Sequence, residues 1–210
     1  MPLKSRYSFR FGVESPESLA EGLFRSGFSG GVLCDTGNAA GQMEFAGSAG
    51  RRGVTGGAGA ELEIDGCRFF FVSRGEGWRE LCAAVTATRL PERVTLREAL
   101  SGANNLTAVA AEPAAAGVLR KKGFAGEIMT AVLPECISGV HPARAEKELI
   151  HGGRVPVACW PVVFRHSRGI KVHRILREGY LNIEKKRPAE SEFASPFSVM
   201  PGAEAFGKAF

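Results

Sequence analysis

Val54-Thr55-Gly56-Gly57-Ala58-Gly59-Ala60-Glu61-Leu62-Glu63-Ile64-Asp65-Gly66-Cys67-Arg68-Phe69-Phe70-Phe71-Val72 is the stretch on which the fold turns. Residues 61–64 and 68–72 read as the two arms of a hairpin. Between them lies Asp65-Gly66, a dipeptide favoured where both residues of a tight turn need positive φ. Phe69-Phe70-Phe71 reads as a strand packed on both faces, in preference to an aromatic platform for nucleic-acid bases. The run Gly56 to Gly59 lacks the Lys-Ser/Thr of a P-loop, and it does not form Gly-x-Gly-x-x-Gly ahead of a helix. It reads instead as a place where strands approach closely.

Working outward, strands alternate with helices. Ser15-Pro16-Glu17 offers an N-cap, a proline for the first helical position and an acid for the first turn, and Leu19, Leu23 and Phe24 follow on one face. Gly27 can close this helix. Gly31-Val32-Leu33-Cys34 is a short buried strand ending at Asp35, and a helix over 39–49 carries Met43 and Phe45. Past the hairpin come a helix over 77–88, a capping box at Thr95-Leu96-Arg97-Glu98, and strands at 106–110, 127–132 and 155–158. Helices at 113–121, 142–150 and 169–177 complete the series. Such alternation predicts an α/β fold with a parallel-type sheet, open or closed into a barrel. From Lys185 the chain turns rich in Pro, Ser, Ala and Glu and is expected to be loosely held.

Composition sets the outer limits. The 210 residues suit one α/β domain, and 44% hydrophobic with 23% charged residues is ordinary for a globular chain. No apolar run approaches the roughly 18 residues a membrane span needs. The basic N-terminus has no apolar stretch behind it, so it is not a secretory signal and a cytoplasmic location is expected. A net charge of +5 and a pI of about 9.1 are compatible with a nucleic-acid partner. The cations are scattered, however, as solvated surface charges would be. Five cysteines, an odd number without a C-x-x-C pair, argue against a disulfide framework or zinc ribbon. Cys34 and Cys159 sit in apolar runs and read as small buried hydrophobes. His141, His151, His166 and His173 are not spaced as ligand pairs and are expected at the surface or as caps. No Gly-x-Ser-x-Gly elbow marks a hydrolase.

The order of these segments resembles the PHP (polymerase and histidinol phosphatase) domain of bacterial DNA polymerase III α and error-prone polymerase subunits. Ser5-Arg6-Tyr7-Ser8-Phe9, Gly12 and Pro16-Glu17-Ser18-Leu19 are similar to the family's His-x-His-Ser-x-Phe-Ser opening and first helix. Val32-Leu33-Cys34-Asp35 resembles its Leu-Thr-Asp-His strand end, and Gly53-Val54 through Gly59-Ala60-Glu61-Leu62 its Gly-Ile-x-Pro-Ile-Ile-Gly-x-Glu segment. Glu76-Gly77-Trp78-Arg79-Glu80-Leu81-Cys82 resembles its Glu-Gly-Tyr-x-Asn-Leu-Cys helix. Val155-Pro156-Val157-Ala158 and His173-Arg174-Ile175-Leu176 are similar to a late strand and the helix beyond it. The resemblance implies a distorted (βα) barrel of the PHP type over residues 1–187, with 188–210 a C-terminal tail that could open a linker to a further domain.

It also implies a metal site that has lost most of its ligands. The opening His-x-His maps onto Pro2 and Lys4, and the histidine after Asp35 is Thr36. A further histidine falls at Cys67 or Arg68, and the late Asp-x-His maps onto Pro161 and Val163. Nothing near Met129 to Val132 replaces another ligand. Asp35 and Glu61 remain, expected at the ends of neighbouring strands and facing a shared cleft. Lys4 has two readings, a cation paired with Asp35 or Glu61, or an exposed side chain.

The expected function is therefore a non-catalytic structural or interaction module linked to DNA replication or repair, with no catalytic residues and no cofactor. Its partners would be replication or repair proteins, with DNA bound weakly if at all and no membrane. The alternatives are a metal-dependent phosphoesterase or 3′–5′ exonuclease with a rebuilt site, holding Zn, Mn or Mg weakly at Asp35 and Glu61, or the N-terminal segment of a DNA polymerase.

Overall fold

The computed structural model describes residues 1–9, 11–183 and 199–209. Seven strands form one sheet in chain order: β1 (Pro2–Leu3), β2 (Gly30–Thr36), β3 (Thr55–Ile64), β4 (Cys67–Ser73), β5 (Leu106–Ala110), β6 (Glu127–Val132) and β7 (Val155–Ala158). All neighbours run parallel except β4, which is antiparallel to both β3 and β5. The reversal comes from Asp65 and Gly66, both at positive φ (50° and 76°), as the hairpin reading requires. The sheet curls until its edges approach. Leu3 forms a parallel bridge with Val162, just past β7. There the Lys4 amide donates to the Val162 carbonyl, and the Val162 amide to that of Pro2, each at 2.9 Å. The result is a mixed α/β fold with a curled seven-stranded sheet, consistent with the distorted barrel expected from the sequence.

Around the sheet lie α1 (Pro16–Arg25), α2 (Gln42–Arg51), α3 (Trp78–Arg89), α4 (Leu96–Ser101), α5 (Ala116–Lys121), α6 (Glu135–Ser138), α7 (Pro142–His151), α8 (Gly169–Ile183) and α9 (Ala203–Lys208). Ser15 caps α1 by accepting from the Ser18 amide at 3.0 Å. Both halves of the Thr95–Glu98 capping box are formed at α4. Along β4 the pleat sends Phe69 and Phe71 to the helix side, in one cluster with Leu62, Leu81 and Leu106, and Phe70 to the inside with Cys34, Ala131 and Cys159. Each such phenylalanine contributes about 1.5–3 kcal/mol by burial. The glycine run lies within β3, and a Cβ on Gly59 would sit 2.6 Å from the Phe71 carbonyl oxygen and 2.7 Å from Cys34 Sγ.

Three elements were not foreseen. β1 is two residues long, too short for any periodic signal, and α6 is a single turn. Residues 199–209 depart from the expected loose tail, because their few apolar residues find the domain. Val199 bridges to Phe164, Met200 is buried, the Ala203 amide donates to the Ser26 carbonyl at 2.7 Å, and Phe206 meets the Phe28 ring edge-on at 5.7 Å. Residues 184–198, where the rest of that expectation falls, lie outside the described residues. Among the described residues no helix is long and apolar enough to cross a membrane.

Candidate functional site

Register decides which side chains meet. β2 and β3 pair Asp35 with Ala60 and Thr36 with Glu61. Because successive residues point to opposite faces, Cys34 and Thr36 face inward with Gly59 and Glu61, while Leu33 and Asp35 face the helices. A Cβ on Gly41, at the start of α2, would lie 3.0 Å from Leu33 Cδ2 and 3.2 Å from Asp35 Oδ2, which fixes that outward direction. Asp35 and Glu61 thus stand near the ends of neighbouring strands as expected, but not in a shared cleft. The one-residue offset puts Thr36 beside Glu61 and turns Asp35 away. This counts against Asp35 as a ligand.

Glu61 is held by two donors. The Lys4 ammonium reaches its Oε2 at 2.5 Å, and the Thr36 hydroxyl reaches the same oxygen at 2.8 Å. Lys4 points inward because β1 pairs Leu3 with Leu33, which leaves the next residue level with Cys34 on the inner face. Lys4 is 7% exposed and Glu61 5%, so the exposed reading of Lys4 is corrected. Burial pushes the Glu61 carboxyl up, but the Lys4 charge and the hydrogen bonds from Lys4 and Thr36 outweigh it and hold Glu61 below the ordinary carboxylate range. Lys4 Nζ also lies 4.5 Å from the centre of the Phe11 ring, which Arg177 approaches at 5.5 Å. These groups line a pocket of about 490 Å³ together with Arg68 and Glu63. Three cations face two carboxylates there.

Asp35 has a different task. Fully buried, it accepts from the Ser5 amide (2.7 Å), the Ser5 hydroxyl (2.8 Å) and the Ser8 hydroxyl (2.7 Å). Burial pushes its carboxyl above the ordinary range, against the pull of the Ser8 and Ser5 hydrogen bonds. Ser8 Oγ in turn accepts from the Thr36 amide at 3.1 Å. Asp35 therefore ties the loop after β1 to the end of β2 and so places Phe11 over Lys4.

The other positions scatter. Arg68, on β4, is more than half exposed and pairs with Glu112 at 3.6 Å. Cys67 sits at the hairpin, level with Ile64. Pro161 is half-buried and Val163 buried, flanking the Val162 bridge. Pro2 and Met129 line a separate cavity. Among the histidines, His141 caps α7 through the Ala143 amide, while His151 and His166 are exposed, as expected. His173 departs from the surface reading. It is fully buried, with Nδ1 2.7 Å from the Phe11 carbonyl oxygen and its ring edge-on to Phe11 and Phe164. Phe11 and Arg177 were missed as pocket residues, since no spacing rule links a loop after β1 to α8. Among the described residues no three His, Cys, Asp or Glu side chains converge. With Glu61 already bonded to an ammonium, the described side chains do not fit a metal cluster.

No family model matches the chain, and no curated protein does. Solved structures do. One is a Bifidobacterium adolescentis protein provisionally named a metal-dependent phosphoesterase, with a TM-score of 0.51 at 12% identity over 76% of this chain and 87% of that one. Another is an amidohydrolase from Chromobacterium violaceum with bound sulfate and no metal, with a TM-score of 0.52 at 13% identity over 74% of this chain and 84% of that one. The likeness shows the fold. On this curled α/β sheet the Lys4–Glu61 pocket opens near the carboxyl ends of β1, β2 and β3, the end at which α/β folds commonly place their sites.

Proposed function

We propose that the chain is a PHP-type domain related to that of bacterial DNA polymerase III α subunits, acting as a non-catalytic structural or interaction module in replication or repair. The observation that carries this reading is the Lys4–Glu61 contact. In a metal site, Glu61 would face a cation held by several ligands. Here an ammonium supplies the positive charge from the chain itself, so the buried carboxylate stays paired without any ion. Thr36, Pro161 and Val163 at the other ligand positions, and Asp35 turned to a structural task, support the same reading. The order of the sequence motifs and the likeness to a metal-dependent phosphoesterase support the PHP fold. A shared fold does not carry an activity with it. The scattered basic residues suit weak, salt-sensitive contact with DNA and leave partner binding to the outer surface.

A second reading, a phosphoesterase or exonuclease with a rebuilt site, draws on the net positive pocket, which has room for a phosphate-bearing ligand. One experiment separates the two. Protein purified without chelator is analysed for Zn, Mn and Mg, then assayed against a generic phosphomonoester and phosphodiester with Mn²⁺ or Zn²⁺ added. The non-catalytic reading expects less than about one tightly bound ion per chain, because the ligand count is too low, and no turnover. Stoichiometric metal, or turnover abolished by Glu61→Gln, would overturn it.

A further inference from the structure

The inner face of the sheet holds a second cavity, of about 270 Å³, at the opposite end from the Lys4–Glu61 pocket. Along β2 the order is plain: Val32 lines this chamber, Thr36 lines the pocket, and Cys34 lies between them. The wall is apolar, made by Val32, Phe70, Val72, Val109, Met129 and Val157 from five different strands. Cys34 and Cys159 form part of it, and burial pushes both thiols up, so they stay neutral. Met1 also lines the chamber, with its ammonium near the two thiols, and the polar side chains gather at one edge. Arg74, just past β4, donates to Glu127 at 3.3 Å and to the Asn104 carbonyl at 3.1 Å, and the Thr107 hydroxyl donates to Glu127 at 3.3 Å.

Small barrels ordinarily fill their interiors with layers of branched side chains. In this sheet β3 places Gly57 and Gly59 beside Val32 and Cys34, and the valines around the chamber remain only half-buried. An apolar cavity of about 150 Å³ already stays dry and admits benzene, and this one is larger. An apolar wall with one charged group at the mouth is the usual form of a small-molecule site, in which the tail supplies affinity and the charge fixes orientation. Arg74 supplies a half-exposed cation at that mouth, ion-paired with Glu127 at 3.3 Å, and its guanidinium can grip a carboxylate with two parallel hydrogen bonds where Glu127 gives way.

We propose that this chamber binds a medium-chain monocarboxylic acid, with its aliphatic tail among Val32, Val72, Val109 and Val157 and its carboxylate on Arg74 in competition with Glu127. The site is independent of the function proposed for the other pocket.

Calorimetric titration of the full chain with octanoate and with octan-1-ol tests it. One octanoate is expected per chain. Arg74→Met, a change at a half-exposed rim, should weaken octanoate at least about tenfold, the scale of one charge-assisted hydrogen bond, and leave octanol unchanged. Val157→Phe and Val109→Phe, which fill the chamber from different strands, should abolish both, with near-ultraviolet circular dichroism confirming the native fold. Failure of the wild-type chain to bind octanoate overturns the proposal. So does octanoate binding indifferent to Arg74→Met, or binding that survives both filling variants.

Discussion

Replacing Lys4 by methionine keeps most of its apolar stem against Phe11 and takes the ammonium away from Glu61. The two side chains are 9% and 6% exposed, so water cannot substitute for the lost partner. Stranding one member of a buried pair costs about 3–5 kcal/mol. Glu61 keeps the Thr36 hydroxyl and can take up a proton, which places the expected cost at the low end, about 3 kcal/mol at pH 7.5. At about 2–4 °C per kcal/mol for a chain of this size, the melting temperature should fall by about 6–12 °C. The cost should also depend on pH. With Lys4 present the folded Glu61 carboxyl is depressed. Its stabilising contribution is present above the unfolded value of about 4.3 and is lost as pH falls through the lower folded value. Without Lys4, burial acts almost alone and raises the folded value. The variant then loses stability as pH rises from the unfolded value toward the raised one. The gap between the two proteins is therefore small near pH 4 and widest at neutrality. Urea unfolding at both pH values measures it, and Lys4→Met/Glu61→Gln, which removes both charges, should recover most of the loss. A single-variant cost within about 0.5 kcal/mol at pH 7.5, or an equal cost at both pH values, would refute the reasoning.

Asp35→Asn should cost about 1–3 kcal/mol, since an amide cannot accept all three hydrogen bonds from Ser5 and Ser8. The folded Asp35 carboxyl is raised, so its contribution weakens as pH climbs from the unfolded value of about 3.9 toward the folded one, and the variant's stability should fall less over that window. A parallel pH dependence in urea unfolding would contradict the assignment. Gly12→Ala places a Cβ 1.6 Å from the Ser5 carbonyl oxygen, a backbone atom that cannot swing aside, so the loop must move off Asp35 at a cost of about 3 kcal/mol or more. Thermal unfolding within a degree of wild type would show that the loop is not tied as described.

Much of the scaffold could be read from the residues because its signals are local. The β5, β6 and β7 segments are short apolar runs between turn residues, and Asp65-Gly66 sets a hairpin with no help from elsewhere. The site was harder. Glu61 and Lys4 are 57 positions apart in the chain, and whether they meet depends on the β1–β2–β3 register, which sequence patterns specify only through which face is buried. Asp35 shows the limit most sharply. The resemblance placed it among the remaining ligands of a metal site, yet a single residue of offset sends it to the other face. His173 was expected at the surface or as a cap, and only the fold brings it to Phe11. In the tail, average composition hid Met200 and Phe206, two of the residues that dock the segment.

Every strand lies beside its neighbour in the chain, so each pairing of the sheet closes only the segment between consecutive strands, at less entropic expense than a link between its two ends. The bridge from Leu3 to Val162 is the exception, because it joins the two ends of the sheet. Among the strand pairings and bridges of the described residues, that seam closes the longest stretch of chain. Lys4 spans it: its backbone amide holds Val162 while its side chain holds Glu61. The residue whose backbone holds the two ends of the sheet together is thus also the one that neutralises the buried carboxylate of the pocket.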